Sequence, residues 1–114
     1  MNSFEEKTLH VETLYQGRII TVKRHRVLLP NGKEGWREVV EHPGAVAVLP
    51  VLADDRLLLI RQYRKAVEEV LIEVPAGKLE AGESPDTAAR RELWEETGLE
   101  AEKLQFLFSF YTSP

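Results

Sequence analysis
From Thr8 to Glu41 the chain runs in short β-prone stretches, interrupted by Gln16-Gly17 and by Pro30-Asn31-Gly32-Lys33. Such runs, broken by residues that favour tight turns, predict antiparallel hairpins. Ala45 to Leu52 is nearly all apolar and rich in β-branched residues, and Leu57 to Ile60 repeats that character beyond the turn-like Asp54-Asp55. Both patterns predict buried central strands. Val70 to Val74 predicts another short strand, closed by Pro75, after which Gly77, Gly82 and several charges predict an exposed loop. The period then changes. Ser84 is a helix cap, Pro85 suits the first helical position where its missing N–H costs nothing, and Gly98 suits the position just past the end. A helix is therefore predicted over Ser84 to Thr97, followed by a returning aromatic-rich strand over Leu104 to Tyr111.

Composition narrows the possibilities. At 114 residues and 13.0 kDa the chain supports one compact core. Its 43% apolar and 30% charged residues are those of an ordinary soluble globular protein. A formal charge of −4 excludes a general nucleic-acid binder, which needs a basic face to displace counterions. Cysteine is absent, so there is neither a disulfide framework nor a thiolate metal site. His10, His25 and His42 show no metal-ligand spacing, which leaves hard, oxygen-preferring ions open. No signal-like stretch and no run near the roughly 20 apolar residues of a membrane span is visible, so no membrane partner and a cytoplasmic location are expected.

The predicted helix concentrates acid on one side. At 100° per residue Glu92 and Glu96 fall one turn apart on one stripe with Glu95 beside them, while Ala89, Leu93 and Thr97 form a more apolar stripe. Like charges at this spacing repel, and acids in the last turn face the negative end of the helix dipole. Arg91 precedes Glu95 by one turn and offsets part of that cost, but one guanidinium cannot neutralise three carboxylates. A divalent cation would, and magnesium suits carboxylate and carbonyl oxygens. For a lone acidic helix the plain alternative, a solvated charged face, holds in roughly four cases of five.

The flanking residues reverse those odds. Gly77, five residues, Glu83, seven residues, Arg91-Glu92-Leu93, Trp94, Glu95-Glu96, Thr97, Gly98 and Leu99 resemble the Nudix box at every defined position. With residue usage near 5–7%, nine such matches arise by chance on the order of 10⁻⁹ per starting point. Gly44-Ala45-Val46-Ala47-Val48, Arg61-Gln62-Tyr63-Arg64, Glu73-Val74-Pro75-Ala76-Gly77 and Ser109 to Pro114 extend the resemblance to the bacterial ADP-ribose pyrophosphatase subfamily of Nudix hydrolases. Pro114 falls where that subfamily carries a proline as a substrate marker.

The resemblance implies an α/β protein of the α+β type: a Nudix fold with mixed β-sheets and the loop-helix in residues 43–114, preceded by an antiparallel hairpin and dimerisation region in residues 1–42. It implies Mg2+-dependent hydrolysis of the pyrophosphate of ADP-ribose to AMP and ribose 5-phosphate, with Mn2+ as a substitute ion. Glu92 and Glu96, with the backbone carbonyl of Ala76, would hold the metal, and Glu95 would sit beside them. Glu83 and Arg91 would brace the loop against the helix. Gly77 would be glycine because a sharply turning loop needs permissive backbone angles. For substrate contacts, Trp36 is either an adenine-stacking platform or a half-buried strand tryptophan at an interface. Arg37 and Arg64 are candidate phosphate donors. Glu73 either accepts a hydrogen bond from adenine or ribose or pairs with a neighbouring arginine. Relatives of this kind are homodimers whose N-terminal hairpins cross to the partner, so Tyr15 to Trp36 would complete the neighbour's pocket.

Full-length relatives are expected to continue past the position of Pro114 with further strands, a closing helix and a loop bearing another acid. A chain ending there is either a piece of such an enzyme or a protein stabilised by dimer exchange. Two other readings stay open: hydrolysis of another nucleoside diphosphate sugar or dinucleotide, and a noncatalytic nucleotide-binding or dimerisation module.

Overall fold
The structure is a computed structural model in which residues 4–113 are described, so Pro114, the expected substrate marker, lies outside the described residues. Its contacts divide the chain into two compact units, meeting at Pro43 and Gly44.

The N-terminal unit is a meander of β1 (Lys7–Gln16), β2 (Thr21–Leu28) and β3 (Glu34–Glu41), antiparallel throughout in the order β1-β2-β3. Both expected turns are present. The Gly17 N–H donates to the Ile20 carbonyl at 2.8 Å, and Asn31 Oδ1 accepts from the Lys33 N–H at 2.9 Å, a side chain standing in for a backbone turn. The edge strand β1 shifts register between Thr8 and His10 and again between Thr13 and Tyr15, so Leu9 and Leu14 are bulged out of the ladder. Bulges of this kind twist an edge and discourage further pairing. Little is buried here: among the unit's described residues Val27 is the buried apolar one, while Leu14, Tyr15, Trp36 and Val40 are about half exposed. The sheet is instead laced by ion pairs: Lys23–Glu41, Arg24–Glu12 and Arg26–Glu34 cross between neighbouring strands, and Arg37 of β3 pairs with Glu6 just before β1.

The second unit contains two two-stranded sheets and a helix. Strand β4 (Ala45–Ala47) pairs antiparallel with β7 (Ala76–Lys78), matching Val46 to Gly77, and β5 (Ile60–Arg64) pairs antiparallel with β6 (Glu69–Glu73). Helix α1 (Pro85–Thr97) packs on β7 and β4, burying Ala88 and Leu93 alongside Val48 and Pro75. This α+β architecture matches expectation. Every described strand pair is antiparallel, and a parallel pair, which a mixed sheet also contains, is absent among the described residues.

Three expectations about strands need correction. The apolar run Ala45 to Leu52 is a strand only as far as Ala47: the Val48 N–H still donates to the Pro75 carbonyl at 2.8 Å, but Pro75, and further along Pro50, have no N–H to donate to a ladder. The Pro50 carbonyl accepts from the Leu58 N–H at 3.1 Å, and beyond it only Val51 bridges to Leu57. Leu57 to Ile60 becomes a strand only at Ile60, and Leu49, Val51, Leu57 and Leu59 are about half exposed rather than buried. Leu104 to Tyr111 makes no ladder among the described residues, and Phe106, Leu107, Phe108, Phe110 and Tyr111 are exposed. Alternation alone does not make a strand, which needs a neighbour for its N–H and C=O groups.

The helix ends are as the sequence predicts. Ser84 adopts an extended backbone and its Oγ accepts from the Thr87 N–H at 3.2 Å, a cap worth about 1 kcal/mol. At the other end Gly98, at φ 71°, donates its N–H to the Trp94 carbonyl at 2.8 Å, a left-handed closure that glycine makes without a Cβ penalty.

Candidate active site
Glycine at position 77 has a reason different from the expected one. It is not in a turning loop and has no positive φ; it sits within β7, the strand against which α1 packs. A Cβ built on it would collide with the carboxylate of Glu92, which is laid directly on the glycine's backbone. Among the described residues Glu92 is the one buried charged residue, 9% exposed, and its carboxylate lies beside the segment containing Ala76. Burying a carboxylate is costly unless it is hydrogen-bonded, and Arg91 Nη1 supplies that bond to Glu92 Oε1 at 2.7 Å.

Arg91 is the hub of this cluster. Its Nε and Nη2 fork onto both oxygens of Glu83, each at 2.8 Å, and Nη2 also donates to the Lys78 carbonyl at 3.0 Å. Nη1 reaches Glu95 Oε2 at 3.2 Å in addition to Glu92. The Glu83 carboxylate further accepts the Glu80 N–H at 3.0 Å. One planar side chain thus ties β7, the following loop and two turns of helix together. The Arg91 bonds first, and the Glu80 N–H second, hold the Glu83 carboxyl down from its ordinary 4.5 to about 2. Arg91 is pushed up in turn, chiefly by Glu83 and then by Glu92. Lys78 and Glu80 were not singled out in the sequence, because a backbone carbonyl and a loop N–H leave no trace in residue type.

Glu96 stands one turn beyond Glu92 and receives no hydrogen bond or close ion pair from a basic side chain among the described residues. With Ile60, Arg61 and Gln62 it lines an open cleft of about 490 Å³. Arg64 lies on the same hairpin, and Glu96 contributes to raising its pKa after the larger effect of Glu73. Arg64 is forked onto Glu73, Nε at 2.8 Å and Nη2 at 2.6 Å, so of the two readings of Glu73 the structure shows the pairing with arginine. Ile60, Arg61 and Gln62 are cleft residues to which the sequence assigned no role, although Arg61-Gln62-Tyr63-Arg64 carried part of the family resemblance.

The residues singled out in the N-terminal sheet belong to the other unit. Arg37 forks onto Glu6 at 2.9 and 2.6 Å, which lowers the Glu6 carboxyl, so its charge is already engaged. Trp36 is half exposed with the Arg24 guanidinium 4.6 Å from its ring centroid, which leaves at most one face for stacking. His10 and His25 are strand residues, and His42 follows β3.

A divalent ion fits the donor chemistry at α1. Glu92, Glu96 and the Ala76 carbonyl are all hard oxygens, and the Glu92 carboxylate already lies against the backbone next to Ala76. Among the described residues no three acidic or histidine side chains converge as a complete ligand group. Backbone oxygen, water and substrate phosphate would complete the shell, as magnesium favours.

The NUDIX domain profile matches residues 41–114, and a profile described as nucleoside diphosphate sugar hydrolase N-terminal domain matches residues 6–40. The chain belongs to the NUDIX family, whose members generally use divalent metal ions. It is 50% identical over 114 residues to an ADP-ribose pyrophosphatase of Bacillus subtilis (strain 168), covering 100% of this chain and 62% of that one. It is 49% identical over 111 residues to a methanol dehydrogenase activator of Bacillus methanolicus, covering 97% of this chain and 60% of that one. A crystal structure of an ADP compounds hydrolase superposes with a TM-score of 0.84 at 34% identity, covering 100% of this chain and 63% of the other. The chain therefore spans about three fifths of the length of these relatives. No helix among the described residues is long and apolar enough to cross a membrane.

Proposed function
We propose that the protein is a magnesium-dependent hydrolase that cleaves the pyrophosphate of ADP-ribose to AMP and ribose 5-phosphate. The observation that carries this reading is the division of labour on α1: Glu92 seated on Gly77 and secured by Arg91, with Glu96 at an open cleft. A bound divalent ion would neutralise and polarise the pyrophosphate and lower the pKa of its water. The chain's own residues do the rest. Glu92, Glu96 and the Ala76 carbonyl hold the ion, with Mn2+ as a substitute for Mg2+. Glu83 and Arg91 keep those ligands from moving, and Glu95 sits beside them on the same arginine. Arg64 holds a phosphate on the cleft side.

ADP-ribose as the substrate is supported by the B. subtilis relative and by the N-terminal profile. We assign Trp36 the adenine-side or interface role and place Arg37, once released from Glu6, as a second phosphate donor. A homodimer with exchanged N-terminal hairpins is supported by the exposed apolar residues of β1, Leu9, Val11, Leu14 and Tyr15. We place the protein in the cytoplasm, with no nucleic-acid or membrane partner.

Incubation with ADP-ribose and Mg2+ should yield AMP, and Glu96→Gln should lower turnover by about 100-fold or more while leaving the melting temperature nearly unchanged. If chromatography detects no AMP from the full-length protein, the hydrolase reading is wrong. Light scattering that shows only monomer would exclude hairpin exchange.

A further inference from the structure
Strands β5 and β6 match Ile60 to Glu73, Gln62 to Leu71 and Arg64 to Glu69. Because side chains alternate across a strand, Ile60, Gln62, Arg64, Glu69, Leu71 and Glu73 share one face of the hairpin. Ile60 and Gln62 line the cleft with Arg61 and Glu96, and Arg64 on the same face feels the charge of Glu96, so this face borders the cleft.

The acid directly opposite Arg64 is Glu69, the default partner for a cross-strand ion pair. Arg64 ignores it and reaches four residues along the hairpin to fork onto Glu73, away from the turn and toward the Ile60 end. In this pair the carboxylate is the sheltered member, its side chain 20% exposed against 44% for the arginine. Both Glu73 oxygens are engaged, and the Arg64 bonds hold its carboxyl in the charged form. A guanidinium has five N–H donors in one plane. Glu73 takes the Nε–H and one Nη2–H, which leaves the second Nη2–H beside one Nη1–H on the terminal edge, and the other Nη1–H turned back toward Cδ. That terminal edge has the fork geometry that matches two phosphoryl oxygens.

We propose that Glu73 is a positioning residue: it touches no ligand itself but fixes the Arg64 guanidinium with its free edge presented to the diphosphate of a nucleotide bound in the cleft. The proposal rests on the reading of this site as one that binds a nucleoside diphosphate. Without the fork Arg64 is a long, rotamer-rich side chain whose ordering would have to be met on binding.

A double-mutant cycle read by calorimetry tests this, with ADP and inorganic pyrophosphate as probes in Mg2+. Glu73→Gln should weaken both probes by about tenfold, since an amide accepts from the fork at one atom only. Glu73→Asp keeps the charge but is one methylene short, and should fall between. In an Arg64→Ala background Glu73→Gln should have no further effect. With ADP-ribose the Glu73→Gln protein should show a raised KM and a kcat within about twofold of the unsubstituted protein.

A loss for ADP but not for pyrophosphate would mean that Glu73 contacts adenine or ribose, and would overturn the proposal. So would additive losses in the double variant, or a fall in melting temperature and kcat with ADP affinity unchanged. Absence of AMP production with the binding cycle as described would remove the hydrolase reading and leave the role of Glu73 standing.

Discussion
In the three-stranded sheet each basic side chain of the lacing has its own acid: Lys23 with Glu41, Arg24 with Glu12, Arg26 with Glu34, Arg37 with Glu6. On α1 a single arginine hydrogen-bonds three acids, Glu83, Glu92 and Glu95, with a backbone carbonyl besides, and stands 3.7 Å from a fourth, Glu80. The sheet pairs are exposed, one-to-one and interchangeable, and pairs of that kind contribute about 0–1 kcal/mol each. The α1 network is partly buried, shared and over-acidic. Neutralisation distributed along a surface serves solubility and register, whereas an excess of carboxylate gathered around one cation leaves a local charge for something else to neutralise.

The contrast gives an ordered set of expectations. Gly77→Ala should have the largest effect, because the new methyl occupies the place of the Glu92 carboxylate; kcat should fall by about 100-fold, as expected when the proposed metal ligand is displaced by an ångström. A Gly77→Ala protein with undiminished turnover would show that the seat of Glu92 is dispensable. Next, Arg91→Ala strips three acids of their shared partner and should lower the melting temperature by about 5 °C or more, measured by circular dichroism. If it costs no more than Arg26→Ala, the two regions do not differ in kind.

A smaller effect concerns acid. Glu83 has a folded pKa near 2, below its ordinary 4.5, so the unfolded chain takes up the proton first as pH falls. The stability from this group is fully present above about pH 4.5 and is lost progressively on the way down to about 2. Melting curves between pH 6 and 2 should therefore fall less steeply for Glu83→Gln than for the unsubstituted protein; parallel curves would remove Glu83 from the acid response. The smallest change is expected in the sheet, where Arg26→Ala breaks a 3.4 Å exposed pair and should alter stability by no more than about 0.5 kcal/mol in urea titration.

Much of α1 was legible because its signals are local. Ser84, Pro85 and Gly98 act on backbone groups three or four residues away, and Glu92 with Glu96 share a stripe by helical period alone. Hairpin turns at Gly17 and Asn31-Gly32 are equally short-range. Strand extent was read less well. The apolar run from Ala45 hid the interruption at Pro50, and Leu104 to Tyr111 has alternation but no described partner strand, since a ladder depends on residues distant in sequence.

What the sequence by itself determined is the chemistry on offer: a capped helix with carboxylates one turn apart, an arginine in register to brace them, and the spacing that marks the family. Only the tertiary structure decided how those groups are used. It placed Glu92 on Gly77, turned Arg64 past Glu69 to Glu73, and engaged Arg37 with Glu6. Helical spacing and capping are settled within one or two turns of chain. Which of several acids an arginine reaches, and which backbone must lack a Cβ to admit a carboxylate, depend on register and packing between segments that local sequence does not encode.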